Sequence, residues 1–201
     1  MSSASQTRLP STLHTPLNLK IPAFIREFCS FNIGSPGDLG VTRLGDDNWI
    51  MAYVHIAHDC TVGNQTIFAN NTTLAGHVEV GDWVILGGFT GVHQFVKLGA
   101  HSFTAISSVL VADLPPFVMC QGQPAAARSM NFEGLRRRGF SPERISAVKA
   151  MHKALYRDGL TLAQAQQRIA ELTQSHPESA PDVAMMLAFL ARSSPQRGIV
   201  R

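Results

Sequence analysis

Five of the eight histidines crowd the middle of the chain: His55, His58, His77, His93 and His101. Asp59 directly follows His58, and His77 stands eighteen residues beyond Asp59. A neutral imidazole with an ordinary pKa near 6.5, held by an acidic neighbour, is the equipment of a general base, and His58 beside Asp59 suits that role. No convincing nucleophile accompanies the pair. Cys60 is adjacent in sequence, so it faces differently from Asp59 and reads as a packed thiol. Direct attack by a substrate hydroxyl that His58 deprotonates is therefore simpler than a covalent intermediate. Such an attack on an acyl group builds negative charge on the carbonyl oxygen. A backbone N–H near Gly76 or Gly87, where no side chain blocks approach, could stabilise it. A metal centre needs three or four converging ligands, and no HxH spacing occurs within a strand, so the expectation is no metal.

The elements that must position these residues are legible as a repeat. From Leu44-Gly45, steps of eighteen reach Val62-Gly63, Val80-Gly81 and Leu98-Gly99. Steps of six read Leu44, Ile50, Ile56, Val62, Phe68, Leu74, Val80, Leu86, Val92, Leu98, then Thr104 and Leu110. A helical period of 3.6 cannot keep such a register, and simple strand alternation does not single out every third inward position. A coil of three short strands does, with one aliphatic side chain per hexad in a narrow triangular interior. The small residue after each inward position, often Gly or Ala, is expected to let the chain turn the corner. None of the five histidines takes an inward position, so each points sideways or outward. Asp59 and His77 stack on successive rungs, with His58 beside them and His55 on the neighbouring corner. Singly, each is an ordinary surface imidazole; their clustering on adjacent rungs favours function.

The register runs from Leu44 to about Val111, with an earlier partial coil from about Leu19 to Asn32. Between them GSPGDLG, Gly34 to Gly40, breaks the count and reads as a loop protruding from a corner. Residues 1–18 carry no hexad and read as a poorly ordered leader. After Asp113-Leu114-Pro115-Pro116 the texture becomes helical: Ser141-Pro142-Glu143 opens one helix, Thr161 caps a second and Pro181 opens a third. The expected organisation is a leader at 1–18, a parallel β-helix at 19–116 and a small helical domain at 117–201. Composition agrees, since 201 residues with 45% hydrophobic and 15% charged content exclude broad disorder. No apolar run is long enough for a membrane span, and the N-terminus lacks a secretory signal. Three cysteines without a CxxC pair argue against a disulfide framework or structural zinc and fit a cytoplasmic setting. The net charge of +3 is spread over thirteen Arg and four Lys, too diffuse to indicate nucleic acid.

HIAHDCTVGN (55–64), FANNTTLAGHVEVGD (68–82) and NFEGLRRRGF (131–140) closely resemble the acyl-[acyl-carrier-protein]–UDP-N-acetylglucosamine O-acyltransferases, which perform the first step of lipid A synthesis. The similarity runs from about Phe24 to Arg201. A related N-acyltransferase family shares the hexads and an imidazole base but not NFEGLRRRGF. The resemblance implies an all-β left-handed parallel β-helix of hexapeptide repeats followed by a small C-terminal α-helical domain, assembled as a homotrimer. It implies His58 as base for the glucosamine 3-hydroxyl, Asp59 as its support and Gly76 as the oxyanion amide. It puts His55, His77, His93 and Gln94 along a cleft between subunits, and Asn131, Glu133, Arg137 and Arg138 at the nucleotide end of the substrate. Planar charge-assisted binding of phosphate oxygens suits Arg, although Arg136-Arg137-Arg138 alone reads as a solvated helical turn. The acyl-length position falls at Ile106; Ile in place of Gly should shorten the pocket and favour a medium acyl chain. A second length-associated residue, His in some members, is Pro124 here. The partners implied are acyl carrier protein and UDP-N-acetylglucosamine; no cofactor is implied, because the nucleotide is part of the substrate.

Family members begin with several more coils, about ten rungs against about five here. A QD-x-K-type loop that grips the sugar and phosphate has no counterpart in residues 1–23. Loss of positioning contacts can cost orders of magnitude with the chemistry intact. Two expectations follow: an active or weakly active O-acyltransferase, or a shortened, poorly active paralogue serving as a scaffold or remnant.

Overall fold

Twelve side chains, every sixth residue from Leu44 to Leu110, point into one narrow interior, and each is at most 4% exposed. Thr104 takes its turn among them, its hydroxyl paired with Thr90 at 2.8 Å. A computed structural model of the chain describes residues 23–201 together with the backbone of the strand Leu17–Leu19. The expected leader over 1–18 thus lies outside the described residues except at Leu17 and Asn18. There the backbone already pairs with Thr42 and Arg43, as part of the coil.

The coil has three parallel faces. The first stacks Leu17–Leu19, Thr42–Leu44, Thr61–Val62, Glu79–Val80 and Lys97–Leu98. The third stacks Ser30–Phe31, His55–Ile56, Thr73–Leu74, Gly91–Val92 and Val109–Leu110. The second runs from Phe24–Ile25 through Phe103–Thr104 and gains two more strands from beyond the coil. Main-chain hydrogen bonds run from one rung to the next, as from Ala57 N–H to Leu74 O at 3.1 Å and from Ala75 N–H to Val92 O at 3.0 Å.

The corners differ from expectation. Every sixth residue from Asp47 to Ser107 has φ between 56° and 65°, and none of them is glycine. The turn is made there, three residues after each inward side chain, at a cost of roughly 1 kcal/mol per non-glycine residue. The small residues after the inward positions do not have positive φ. They are small because the next rung crosses close by: a Cβ on Gly45 would lie 2.6 Å from the carbonyl oxygen of Gly63.

Beyond the hexads, Val118–Gly122 adds to the second face parallel to Phe103–Thr104 and turns back antiparallel as Ala125–Met130. This hairpin occupies the first part of the segment expected to be helical. Val118 and Cys120 are buried while Gln121 is exposed, a strand alternation that covers the open edge of the face. Four helices follow: α1 (Phe132–Arg137), α2 (Pro142–Tyr156), α3 (Leu162–Ser175) and α4 (Ala180–Arg192). Ser141 caps α2, and Thr161 with Gln164 forms a capping box on α3. Buried Asp113 ties the coil to the end of the chain, accepting from Lys97 N–H and Ser194 N–H, both at 2.9 Å. Helices and coil share one apolar core, from Leu44 to Val200. Among the described residues no helix is long and apolar enough to cross a membrane.

Two substitutions separate the two roles. Gly99→Ala sets a methyl into the backbone and ring of Pro116 and is expected to cost about 1–3 kcal/mol. Gln65→Gly relieves a left-handed corner (φ 56°) and is expected to change stability by under about 1 kcal/mol, in the stabilising direction. Urea denaturation of both variants measures the difference.

Candidate functional site

The corner joining the third face to the first carries three columns, each built from residues eighteen apart. His58, Gly76 and Gln94 form one, and Asp59, His77 and Phe95 the next, while His93 starts the same turn one rung above Ala75. Stacking makes the contacts. The His77 ring packs on Phe95 with centroids 4.6 Å apart and meets His58 edge-on at 5.2 Å.

His58 Nδ1 lies 2.9 Å from Asp59 Oδ2, and the Asp59 side chain is fully buried. Burial by itself would raise the Asp59 pKa. The hydrogen bonds from His58 and Ser35, with the His77 charge, outweigh it and hold the carboxyl below its usual range. An ionised Asp59 accepts a hydrogen bond from the Nδ1–H and leaves the lone pair on Nε2. That nitrogen faces Gly76, where a Cβ would lie only 2.7 Å from it. Glycine is needed there to admit the ring. The Gly76 N–H has no hydrogen-bond acceptor among the described residues.

The loop expected at Gly34 to Gly40 is present, but sequence reasoning missed that its side chains complete the cluster. The chain inserts residues between Phe31 and Leu44, which pair with Ile56 and Val62, so the loop lies over the turn that carries His58 and Asp59. Ser35 N–H donates to Asp59 Oδ2 at 2.9 Å, and Ser35 Oγ is 3.1 Å from His58 Nδ1. Asp38 Oδ2 sits 2.8 Å from His77 Nε2. Thr42 Oγ1 accepts the Asp59 N–H at 2.9 Å. Gly34 closes the neck of the loop, where any Cβ would strike the backbone of Val41. The signal available was the break in register at this corner, together with the polar residues inside it. His58, Asp59 and His77 offer ligand atoms within 4.8 Å of one another, a spacing that would also admit a divalent cation. Cys60 is buried with its thiol on Ala75 O at 3.2 Å, and burial raises its pKa to about 11, the state of a packed thiol.

Of the remaining candidates, His93 and Gln94 belong to this same corner and the others lie elsewhere. His55 stands on the third face, its Nδ1 2.7 Å from Ser30 Oγ. His93 is exposed and Gln94 half-buried, with Arg197 donating to the Gln94 carbonyl at 2.7 Å. Ile106 is 65% exposed at the corner between the second and third faces. Asn131, Glu133, Arg137 and Arg138 lie on α1 or at its ends, beside the corner between the first and second faces. Asn131 caps α1 and donates to His101 O at 3.1 Å; Glu133 pairs with Arg137 at 3.0 Å. Arg138 donates to Trp83 O at 3.1 Å and stacks over the indole at 5.0 Å. With Ile67, Phe103 and Arg137 they border a groove of about 650 Å³. The site residues are therefore split over three corners of one chain. His101 is structural, its ring packed between Trp83, Phe117 and Phe140.

A family model described as UDP N-acetylglucosamine O-acyltransferase, domain 2, matches residues 113–200, and a bacterial transferase hexapeptide model matches residues 42–76. The chain is 78% identical over 177 residues to an acyl-[acyl-carrier-protein]–UDP-N-acetylglucosamine O-acyltransferase of Albidiferax ferrireducens, covering 88% of this chain and 67% of that one. It is 61% identical over 188 residues to the enzyme of the same description from Thiobacillus denitrificans, covering 92% and 70%. Among solved structures, the UDP-N-acetylglucosamine acyltransferase of Francisella novicida superposes with a TM-score of 0.86 at 35% identity, covering 92% of this chain and 66% of that one. The UDP-N-acetylglucosamine O-acyltransferase (LpxA) of Moraxella catarrhalis gives 0.86 at 35%, covering 99% and 72%. The chain spans about two thirds of the length of these proteins.

Burial and the Arg138 charge push the His101 pKa down to about 4. In the unfolded chain the imidazole takes its proton near 6.5, so between these values the unfolded state binds more protons and stability rises with pH. The protein should lose about 3 kcal/mol as pH falls from 7 to 4 on this account, and His101→Phe should remove that part of the slope. Denaturation across the pH range measures it.

Proposed function

The chain belongs to the acyl-[acyl-carrier-protein]–UDP-N-acetylglucosamine O-acyltransferase family, and we propose that it performs that family's transfer with His58 as general base, in a cytoplasmic homotrimer whose clefts lie between neighbouring subunits. The reaction moves a 3-hydroxyacyl group from acyl carrier protein to the 3-hydroxyl of UDP-N-acetylglucosamine, the first step of lipid A synthesis. One observation carries the mechanism: Asp59 holds Nδ1 of His58 at 2.9 Å while Nε2 faces the Gly76 backbone.

His58 Nε2 takes the proton of the sugar hydroxyl as its oxygen attacks the thioester carbonyl carbon. The carbonyl oxygen becomes an oxyanion and takes the Gly76 N–H. Collapse of the tetrahedral intermediate breaks the C–S bond, and the carrier-protein thiolate leaves with the proton from Nε2. Asp59 stabilises the imidazolium in between, as a buried carboxylate does without itself changing protonation.

The split of the site over three corners supports the trimer. His58 at one corner, Ile106 at a second and α1 beside a third meet only if corners of different subunits face each other. The third face and its flanking corners expose Tyr53, Phe89, Phe95, Ile106 and Val109, apolar surface of the kind subunit contacts cover. Arg137, 77% exposed, is held by Glu133 at its Nε and turns its terminal nitrogens to the substrate phosphates, while Arg138 stiffens the rim by its contacts with Trp83. Ile106 narrows the acyl channel and favours a medium chain.

Turnover with UDP-N-acetylglucosamine and 3-hydroxyacyl carrier protein tests the assignment. His58→Ala should lower kcat by about 10²–10⁴ with the oligomeric state unchanged; unaltered turnover rejects the base. A series of acyl lengths should show a medium optimum that Ile106→Gly moves to longer chains, and a wild-type optimum at the longest donor refutes the length reading.

A further inference from the structure

Sharing no residue with the site above, the hairpin strand Ala125–Met130, the last turn of α2 and the end of the chain border an open cavity of about 440 Å³ lined by Ala127, Arg128, His152, Tyr156, Arg157 and Arg201. Three guanidiniums line it and no carboxylate side chain does. Among the described residues none of the three is in a salt bridge; nearby Asp158 pairs with Lys153 at 3.7 Å. A carboxylate on Arg201 would cancel only one of the three charges, and Ala127 N–H already donates to Arg201 O at 3.2 Å. The guanidinium of Arg201 spends one donor on Leu155 O at 3.2 Å.

A second observation is independent of charge. The Tyr156 hydroxyl is buried and has no hydrogen-bond partner among the described residues. A buried donor is normally satisfied, so an acceptor that the protein itself does not supply belongs beside it. His152 packs against the Tyr156 ring at 5.0 Å and adds a further donor. Burial and the Arg157 charge lower the His152 pKa, which an anion in the cavity would reverse.

We propose that this cavity is a binding site for a small phosphate-type dianion, held by the exposed Arg128, Arg157 and Arg201, with the covered Tyr156 hydroxyl becoming a neutral donor as those side chains turn onto the ion. Planar guanidiniums are suited to forked contacts with tetrahedral oxyanions, and the bound ion would tie hairpin, α2 and chain end together. The site uses none of the residues assigned to acyl transfer.

Thermal shift and calorimetry on the full chain test it, with inorganic phosphate compared against chloride at matched ionic strength. Phosphate should raise Tm saturably, and Arg157→Ala should weaken its binding at least about tenfold, the loss of one charge-assisted contact. Tyr156→Phe, which keeps the packing, should weaken it by a smaller factor. UDP serves as the second arm and separates free phosphate from a phosphoryl group on a larger ligand. A UDP response unchanged by Arg157→Ala supports the free anion. A UDP response lost with that substitution while phosphate gives none overturns the proposal, as does an equal shift from chloride or a phosphate response that Arg157→Ala leaves intact.

Discussion

The constraint on which everything else rests is the fixed distance between corners. Each corner residue is held at positive φ, and each inward side chain must reach the same narrow interior. Slipping the register by one residue would expose the apolar column, bury polar side chains and move the left-handed residue at once. A packed interior does not accommodate such a shift continuously. The only open freedom is to insert a whole loop at a corner, as the chain does between Phe31 and Leu44.

That rigidity converts spacing in sequence into contact in space. Residues eighteen apart are neighbours on successive rungs, so the choice of residue at one corner builds a column. Asp59, His77 and Phe95 make a polar-to-aromatic stack, and His58 with Gly76 places an imidazole against a bare backbone. Asp59 and His77, like Phe95, sit at left-handed corners (φ 59°, 61° and 65°) where glycine would be easier. The local strain is tolerated because both neighbouring rungs fix the backbone, and it aims both side chains at the same spot. The buried Asp59 is the costly member: one oxygen is matched by His58 and Ser35, and Oδ1 has no partner in the described protein. A buried carboxylate in such surroundings orients a base but adds little stability of its own.

The hexad was legible because it lists the interior directly, and His58, Asp59 and His77 were legible because eighteen-residue spacing defines a column. The helices α2 to α4 announced themselves by their caps at Ser141 and Thr161 and their apolar faces. Other parts were hidden. The hairpin at 118–130 follows a period of two over a few residues, a weak signal next to ten hexads. The corner mechanism was misread because small residues draw attention, whereas their size reflects the close passage of the next rung. Ser35 and Asp38 could not be foreseen as partners of His58 and His77, since a loop outside the register has no computable position until it is folded back.

The sequence by itself determined the coil, its inward column, the family and the stacking of Asp59 beneath His77, because a strict repeat leaves one way to bury its apolar set. Only the tertiary structure decided which oxygen and which nitrogen meet. It set the Nδ1 contact to Asp59, the packing of His101 against aromatic rings, the attachment of Arg138 to Trp83 and the cluster of Arg128, Arg157 and Arg201. These depend on distances between segments that no repeat links, and such distances are fixed by packing over the whole core.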